Sequence, residues 1–218
     1  MNVSVIAAGW VTSHGYGTLK SREEQVFAEG ETIYSAAKSS IFTRPVRNFG
    51  RLDRLSRITL ATVALALKDA GIEASPEKKV DVGIIGTNST GSLETDCDFF
   101  RDYLDNGRKL ARANLFIYTL PSSPLGEASI HFGLKGALLY TAYGEDPLKS
   151  LLSTSALMIE AGEAGMMLAG MTSGDEGLYF LLGEGEGISS VSALLELLDT
   201  DSDISTVVTK ARKLTRLV

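Results

Sequence analysis

The segment Arg51 to Ile72, RLDRLSRITLATVALALKDAGI, restricts the fold of this 218-residue chain more than any other stretch. It predicts a helix from Asp53 to Ala70. The Asp53 carboxylate can accept from orphan amides of the first turn, and Gly71 stands where a left-handed residue ends a helix. The middle of the segment, LATVALALKDA, is apolar nearly all round. A surface helix keeps a polar face, so a helix of this kind must be covered on most of its sides. With 44% hydrophobic residues the chain can supply that cover, as one large core or two small ones.

The covering material reads as strands. Val3 to Val11 is a mostly apolar run with β-branched residues, closed by a turn at Ser13 to Gly17. Val80 to Gly86 is a second buried strand, Ala137 to Ala142 a third, Gly165 to Gly170 a fourth and Leu178 to Leu182 a fifth. Helices fall between them. Leu93 to Leu104 carries Leu93, Cys97, Phe100 and Leu104 along one stripe. Ser123-Pro124 caps a helix that runs to Phe132 and stops at Gly133, and Asp146-Pro147 opens another that ends at Gly162. Residues 18–50 are polar and glycine-punctuated, with at most a short helix around Thr32 to Ser39. Residues 107–121 form a loop with an aromatic knot at Phe116 and Tyr118. Ile188 to Leu198 fits strand or helix. The tail places Val207, Val208, Ala211, Leu214 and Val218 on one face, with Lys210, Arg212, Lys213 and Arg216 away from much of it. Alternating strands and helices, with strands apolar throughout, predict an α/β sheet covered on both faces.

The totals exclude several classes. A net charge of −6 argues against a nucleic-acid surface. The one cysteine, Cys97, rules out an intramolecular disulfide and cysteine-cluster metal sites. The start, MNVSVIAAGWVTSHGYG, lacks a basic region and reads as a strand and turn, not a signal peptide. No run approaches the roughly 18 apolar residues of a membrane span. The expectation is a cytoplasmic protein with no metal.

Six segments, in order, carry a resemblance: VIAAGWVTSHGYG, RLDRLSRITLATVALALKDAGI, VGIIGTNSTGSLET, ASIHFGLKGALLYTA, AGEAGMMLAGMTS and GLYFLLGEGEG. Together they resemble the N-terminal half of the β-ketoacyl synthases, condensing enzymes of the thiolase-like fold, over residues 3–187. The resemblance implies a half-length thiolase-like α/β domain with a mixed sheet and helices on both faces. Residues 1–187 would form the synthase-like domain, and residues 188–218 an extension packing on it.

Two departures define the expected role. The family is built from two similar halves, and its second half supplies two catalytic histidines. The histidines here, His14 and His131, match neither motif. The family's nucleophilic cysteine sits in the turn that this chain writes Tyr143, Gly144, Glu145. Counting forward from FGLKG to AGEA without a gap, it falls on Glu145. Condensation needs a thiolate at that helix start, where the dipole lowers its pKa. A carboxylate is comfortable there but cannot carry an acyl thioester in the same way. Chain-length-factor subunits of type II polyketide systems resemble ketosynthases, lack the cysteine and pair with an active ketosynthase. Short proteins of that type accompany aryl polyene pathways, and the chain is most similar to that group. The resemblance therefore implies a non-catalytic subunit that binds a full-length ketosynthase and shapes its acyl tunnel. The strand Ala137 to Ala142 would pair across a dimer axis. The expected substrate arm is the phosphopantetheine of a carrier protein, with no cofactor of the chain's own. The alternatives are a malonyl-carrier-protein decarboxylase using Glu145, and a module that binds acyl carrier protein.

Each candidate residue also has a plainer reading. Glu145 could be a helix-start carboxylate worth about 0.3–1 kcal/mol. Leu93, Asp96 and Phe100 share the face that would wall a tunnel, and bulk at Phe100 would stop a growing chain, because packed interiors do not yield cheaply. Phe100 could equally be core. Arg44, Arg47, Arg51, Arg54 and Arg57 form a basic run that suits an acidic carrier protein or its phosphate, or else a solvated face with internal ion pairs. His131 reads as structural, and Cys97 as a small buried hydrophobe. GEGEG at 183–187 lacks the lysine and spacing of nucleotide loops and reads as a turn.

Overall fold

A computed structural model describes residues 3–36, 38–109, 112–142, 144–199 and 203–214. The strands are β1 (Val3–Thr12), β2 (Gly15–Thr18), β3 (Glu24–Val26), β4 (Gly83–Asn88), β5 (Leu138–Tyr140), β6 (Met166–Ser173), β7 (Glu176–Glu184) and β8 (Ser189–Ser190). The helices are α1 (Lys38–Ile41), α2 (Arg54–Asp69), α3 (Leu93–Asp105), α4 (Ala113–Phe116), α5 (Ser123–Phe132), α6 (Pro147–Glu160), α7 (Val191–Leu197) and α8 (Ile204–Leu214). All strands join one mixed sheet in the order β3-β2-β1-β7-β6-β4-β5, with β8 beside β1. β1 is antiparallel to β7, and β7 to β6. β4 is parallel to both β6 and β5.

Strand alternation divides the core in two. Ala7, Val11, Ile84, Leu168, Tyr179 and Leu181 point toward α2 and α5. Trp10, Ile85, Met167, Ala169, Phe180 and Leu182 point toward α6, α7 and α8. Both faces of the sheet are thus covered, as strands apolar throughout require.

The apolar helix of the sequence is α2, with Ile58, Leu60, Val63, Leu65, Ala66 and Leu67 all buried. Asp53 accepts from the Ser56 amide at 3.0 Å, and Gly71 follows at φ +71°. Two glycines set how deep the helix lies. A Cβ on Gly9 of β1 would stand 2.3 Å from the Thr62 carbonyl and 2.4 Å from the Ala66 amide, and one on Gly177 of β7 would meet Ile58 and Thr62. Thr62 is tolerated there because its hydroxyl bonds back to the Ile58 carbonyl at 2.7 Å. At the other end, buried Asp69 accepts from the amides of Ala8, Lys20 and Ser21, at 3.1, 2.8 and 2.8 Å, and from the Ser21 hydroxyl. It holds β1 just past a register shift between Val5 and Ala7.

Several expectations change in detail. The turn expected at Ser13 to Gly17 is confined to Ser13 and His14, because Gly15–Thr18 pairs with β1 as β2, and residues 18–50 include β3. The short helix lies at Lys38–Ile41, not around Thr32 to Ser39. Residues 107–121 hold α4 and a 3₁₀ turn at Ile117–Thr119, where the Thr119 and Ser123 hydroxyls donate to the Phe116 and Ile117 carbonyls. Ile188 to Leu198 divides into β8 and α7, capped by Ser190 onto the Ala193 amide. α8 buries Ile204, Val207, Val208 and Ala211, and its Arg212 lies 4.7 Å from the centre of the Trp10 ring. Arg216 and Val218 of the expected tail lie outside the described residues.

Asp69→Ala should lower unfolding free energy by about 3 kcal/mol or more, because it leaves three amides without their charged acceptor. Gly9→Val should cost at least as much by lifting α2 from the sheet. Urea denaturation of both variants measures this; a loss below about 1 kcal/mol in either would contradict the packing described.

Candidate functional site

The turn at the expected nucleophile position joins β5 to α6. Thr141 is tied to β4 by its amide on the Gly86 carbonyl and by its carbonyl, which accepts from the Thr87 hydroxyl at 2.7 Å. Glu145 is exposed, two residues before Pro147 opens α6. No described residue donates to its carboxylate. Asp146 takes the N-cap position without a side-chain cap bond. Tyr143 lies outside the described residues. A carboxylate at this helix start is favoured by the dipole, yet it provides no thiolate.

β5 is the edge of the sheet, with Leu138 and Leu139 exposed at 42% and 36%. Exposed apolar side chains also stand on α5, on the 3₁₀ turn and just after it, on α4 and on α3, Ile117 and Ile130 among them also lining the arginine groove. Ile130, Ile117, Leu120 and Phe116 are each more than half exposed there. The α3 stripe is present but faces outward: Leu93, Phe100 and Leu104 are exposed, and so is Cys97. The reading of Cys97 as a buried hydrophobe is therefore wrong. What the helix buries is Thr95, with Asp96, Phe99 and Tyr103 half-buried. Asp96 turns to the helix start and accepts from the Ser92 hydroxyl at 2.9 Å. The aromatic knot separates: Phe116 packs on Phe99 at the surface, whereas Tyr118 is buried. Large exposed patches of this kind mark places that another molecule covers.

The five arginines divide. Arg57 donates to the carbonyls of Leu52 and Gly50, each at 2.8 Å, and lies over the rings of Tyr34 and Phe49. Arg54 forks onto Asp175, which also accepts from the Tyr34 hydroxyl at 2.8 Å, and reaches Glu94 at 3.9 Å. That fork raises the Arg54 pKa and holds the Asp175 carboxyl below its usual range; burial, then the bond to Asp175, pushes Tyr34 up. These two arginines hold the chain together. Arg44, Arg47 and Arg51 instead line a groove of about 610 Å³ with Lys68 on its rim. Its floor is apolar, from Phe42, Leu67, Ile72 and Phe132. His131 lies in its wall, with Nδ1 2.9 Å from the Glu127 carbonyl and Nε2 3.3 Å from the Arg47 carbonyl. Beneath it the Tyr118 hydroxyl bonds to Glu127 at 3.2 Å; burial first, then the Glu127 charge, pushes it up to about 12.

Residues 10–177 match the model of the family described as beta-ketoacyl synthase, N-terminal domain. The chain belongs to the β-ketoacyl synthase family. Over 92 residues it is 29% identical to a Streptomyces virginiae protein named as a polyketide β-ketoacyl synthase, covering 42% of this chain and 23% of that protein. Among solved structures it is similar to the ishigamide ketosynthase/chain length factor, with TM-score 0.64 and 16% identity over 85% of this chain and 63% of that one. It is also similar to the ketosynthase ApeO in complex with its chain length factor ApeC from Xenorhabdus doucetiae, with TM-score 0.57 and 15% identity over 86% and 81% of the two chains. A third is AntDE:AntF, a ketosynthase with its type II polyketide acyl-carrier protein, with TM-score 0.64 and 15% identity over 84% and 63%. The chain spans about a quarter of the curated relative and under two thirds of the ishigamide chain. The half-length thiolase-like fold with a mixed sheet is the one expected. No helix among the described residues is long and apolar enough to cross a membrane.

The sequence reading missed the Tyr34–Arg54–Asp175 cluster and the floor of the groove. Asp175 and Tyr34 are 141 positions apart, and no local pattern joins them. For the groove, the signal was Ile72 and Ala74 continuing the apolar pattern beyond the glycine that ends α2.

Asp175 has a lowered carboxyl pKa, so its pair with Arg54 stabilises the fold above the ordinary aspartate range of about pH 4. The contribution is lost as the pH falls through the lowered folded value. Asp175→Asn should flatten this part of the acid unfolding curve. The effect should be within about 1 kcal/mol, because both partners are more than a third exposed. Thermal melts from pH 2 to 7 measure it, and an unchanged acid limb would contradict the pair.

Proposed function

We propose that the chain acts as a non-catalytic subunit of the chain-length-factor type. It would pair with a full-length ketosynthase that supplies the thiolate and histidines, and would shape that partner's acyl tunnel. The observation that carries this reading is Glu145: the turn that presents a nucleophile in the family ends here in an exposed carboxylate. The chain's one cysteine lies on α3, in a different part of the fold. The apolar edge at β5 and the outward stripe of α3 support a partner on that side, since apolar area on this scale favours burial at about 25 cal/mol per Å². Complexes of ketosynthases with chain length factors among the similar structures agree with this assignment. Leu93 and Phe100 would then face the partner, and Phe100 would limit the volume open to a growing acyl chain. Asp96, bonded to Ser92, would lie at the polar end of that wall.

Within the same reading, Arg44, Arg47 and Arg51 form the docking rim for an acidic acyl carrier protein, whose phosphopantetheine carries the substrate. Arg54 and Arg57 support the rim from below. The work would be done in the cytoplasm, where acyl chains are built on carrier proteins.

Co-expression with the ketosynthase of the same host should yield a stable complex by size exclusion and light scattering. Leu139→Asp with Phe100→Asp should abolish it while leaving the fold intact by circular dichroism. A chain that stays monomeric with every ketosynthase of its host would sink the proposal, and self-association alone would replace it with a homodimer. Carbon dioxide released from malonyl carrier protein, and lost in Glu145→Ala, would instead support the decarboxylase.

Carrier binding gives a separate check. Arg44→Glu with Arg47→Glu should weaken the affinity of the complex for holo carrier protein by roughly tenfold at low salt and by less at high salt. Equal affinities by fluorescence anisotropy would remove the rim from the docking surface.

A further inference from the structure

The arginine-lined groove has a floor that a protein resting on its rim would not fill. The groove runs between the segment joining α1 to α2, the later turns of α2, the loop after Gly71, and α5 with the 3₁₀ turn. Phe42, Ala64, Leu67, Ile72 and Phe132 make the floor apolar. Ile117 and Ile130 carry the same lining out to the surface, where they are 55% and 67% exposed. The open volume is about 610 Å³. Sites for small organic ligands span about 300–1,000 Å³, mostly apolar, with a few polar groups that fix orientation.

The polar groups here have one sign in excess. Among the described residues, Arg44, Arg47 and Arg51 share the lining with two carboxylates, Glu77 and Glu127. Both carboxylates already have donors. Glu127 accepts from the Tyr118 hydroxyl at 3.2 Å and stands 3.5 Å from His131 Nδ1. Glu77 is bonded by Ser75 and feels the charges of Arg44 and Arg47. Lys68, also in the lining, is paired with Glu23 at 2.6 Å. Three guanidinium groups thus stand against two carboxylates that are already served. A guanidinium carries five N–H donors in a fork that matches a carboxylate. A small polar anion would use that fork and leave the floor in water. A neutral hydrocarbon would use the floor and leave the fork idle. An acyl chain ending in a carboxylate uses both, because burying the chain is favourable in proportion to its apolar area.

We infer that the groove is a binding site for a free fatty carboxylate. Its head lies on the arginines, and its chain runs over Leu67, Ile72 and Phe132 toward Ile117 and Ile130. The site belongs to the isolated chain and depends on neither a ketosynthase nor a carrier protein.

Calorimetric titration of the chain alone with decanoate and dodecanoate, each below its micelle concentration, tests this. One equivalent should bind. Affinity should rise by roughly tenfold from decanoate to dodecanoate, the gain from burying two further methylenes. Decanol has the decanoate chain without the charge and should bind roughly tenfold more weakly, as should decanoate to Arg47→Gln with Arg51→Gln. Ile117→Asp with Ile130→Asp should weaken dodecanoate by at least as much. Both isoleucines are exposed, so the fold should persist by circular dichroism. If that variant does not fold, a nitroxide-labelled stearate on the wild-type chain replaces it. Amide broadening centred on residues 64–77 and 117–132 supports the site, and broadening centred on α3 or β5 overturns it. Binding that never saturates, equal affinity for decanol and decanoate, or full affinity in the isoleucine variant each overturns it too. Association with vesicles of anionic phospholipid, without binding of monomeric dodecanoate, would replace the site with a membrane-facing surface and overturn it.

Discussion

The depth at which α2 lies on β1 and β7 governs the rest of the molecule. Gly9 and Gly177 remove the side chains that would hold the helix away, and the Thr62 backbone comes close enough that no Cβ would fit. Asp69 then fixes the far end by accepting three amides and a hydroxyl. Close contact of this kind has little tolerance, because an interior packed to crystal-like density passes a displacement on to its neighbours. The segment carrying the arginines enters α2 directly, the pair Arg54–Asp175 joins its first turn to the β6–β7 turn, and α5 packs along its side. Both the arginine-lined groove and the apolar edge therefore take their positions from one helix.

Much of this was legible in the sequence because it is local. The cap at Asp53, the glycine at 71 and the apolar run between them are read within one stretch of chain, and each has a physical reason that does not depend on distant residues. The same holds for the buried strands, whose runs match β1, β4, β6 and β7. The α3 stripe shows where such reading ends. Periodicity established that Leu93, Cys97, Phe100 and Leu104 share a face. It could not establish that this face points away from the sheet, since a stripe made to meet a partner has the same pattern as one made to meet the core. The correction at Cys97 follows from that ambiguity.

The basic run shows a related limit. Five arginines at short spacing carry equal charge in the sequence, yet the fold gives them unequal work. Arg57 is absorbed by carbonyls and rings and Arg54 by a carboxylate, both supplied by segments far away in sequence. Arg44, Arg47 and Arg51 instead line a groove, where Arg44 and Arg47 also act on the Glu77 carboxylate. The floor that makes this groove amphiphilic comes from residues on either side of Gly71 and from α5, so its character belongs to the tertiary structure alone.

The contact between α8 and β1 has a consequence of another kind. Trp10 is the chain's one indole, and the guanidinium of Arg212 lies over its ring. The same Arg212 pairs with Glu24 of β3 at 2.9 Å. A cation against a ring alters the emission of that ring, so the tryptophan emission of the protein reports on one place: the seam where α8 closes over β1. The molecule carries its own optical gauge of whether that helix is seated.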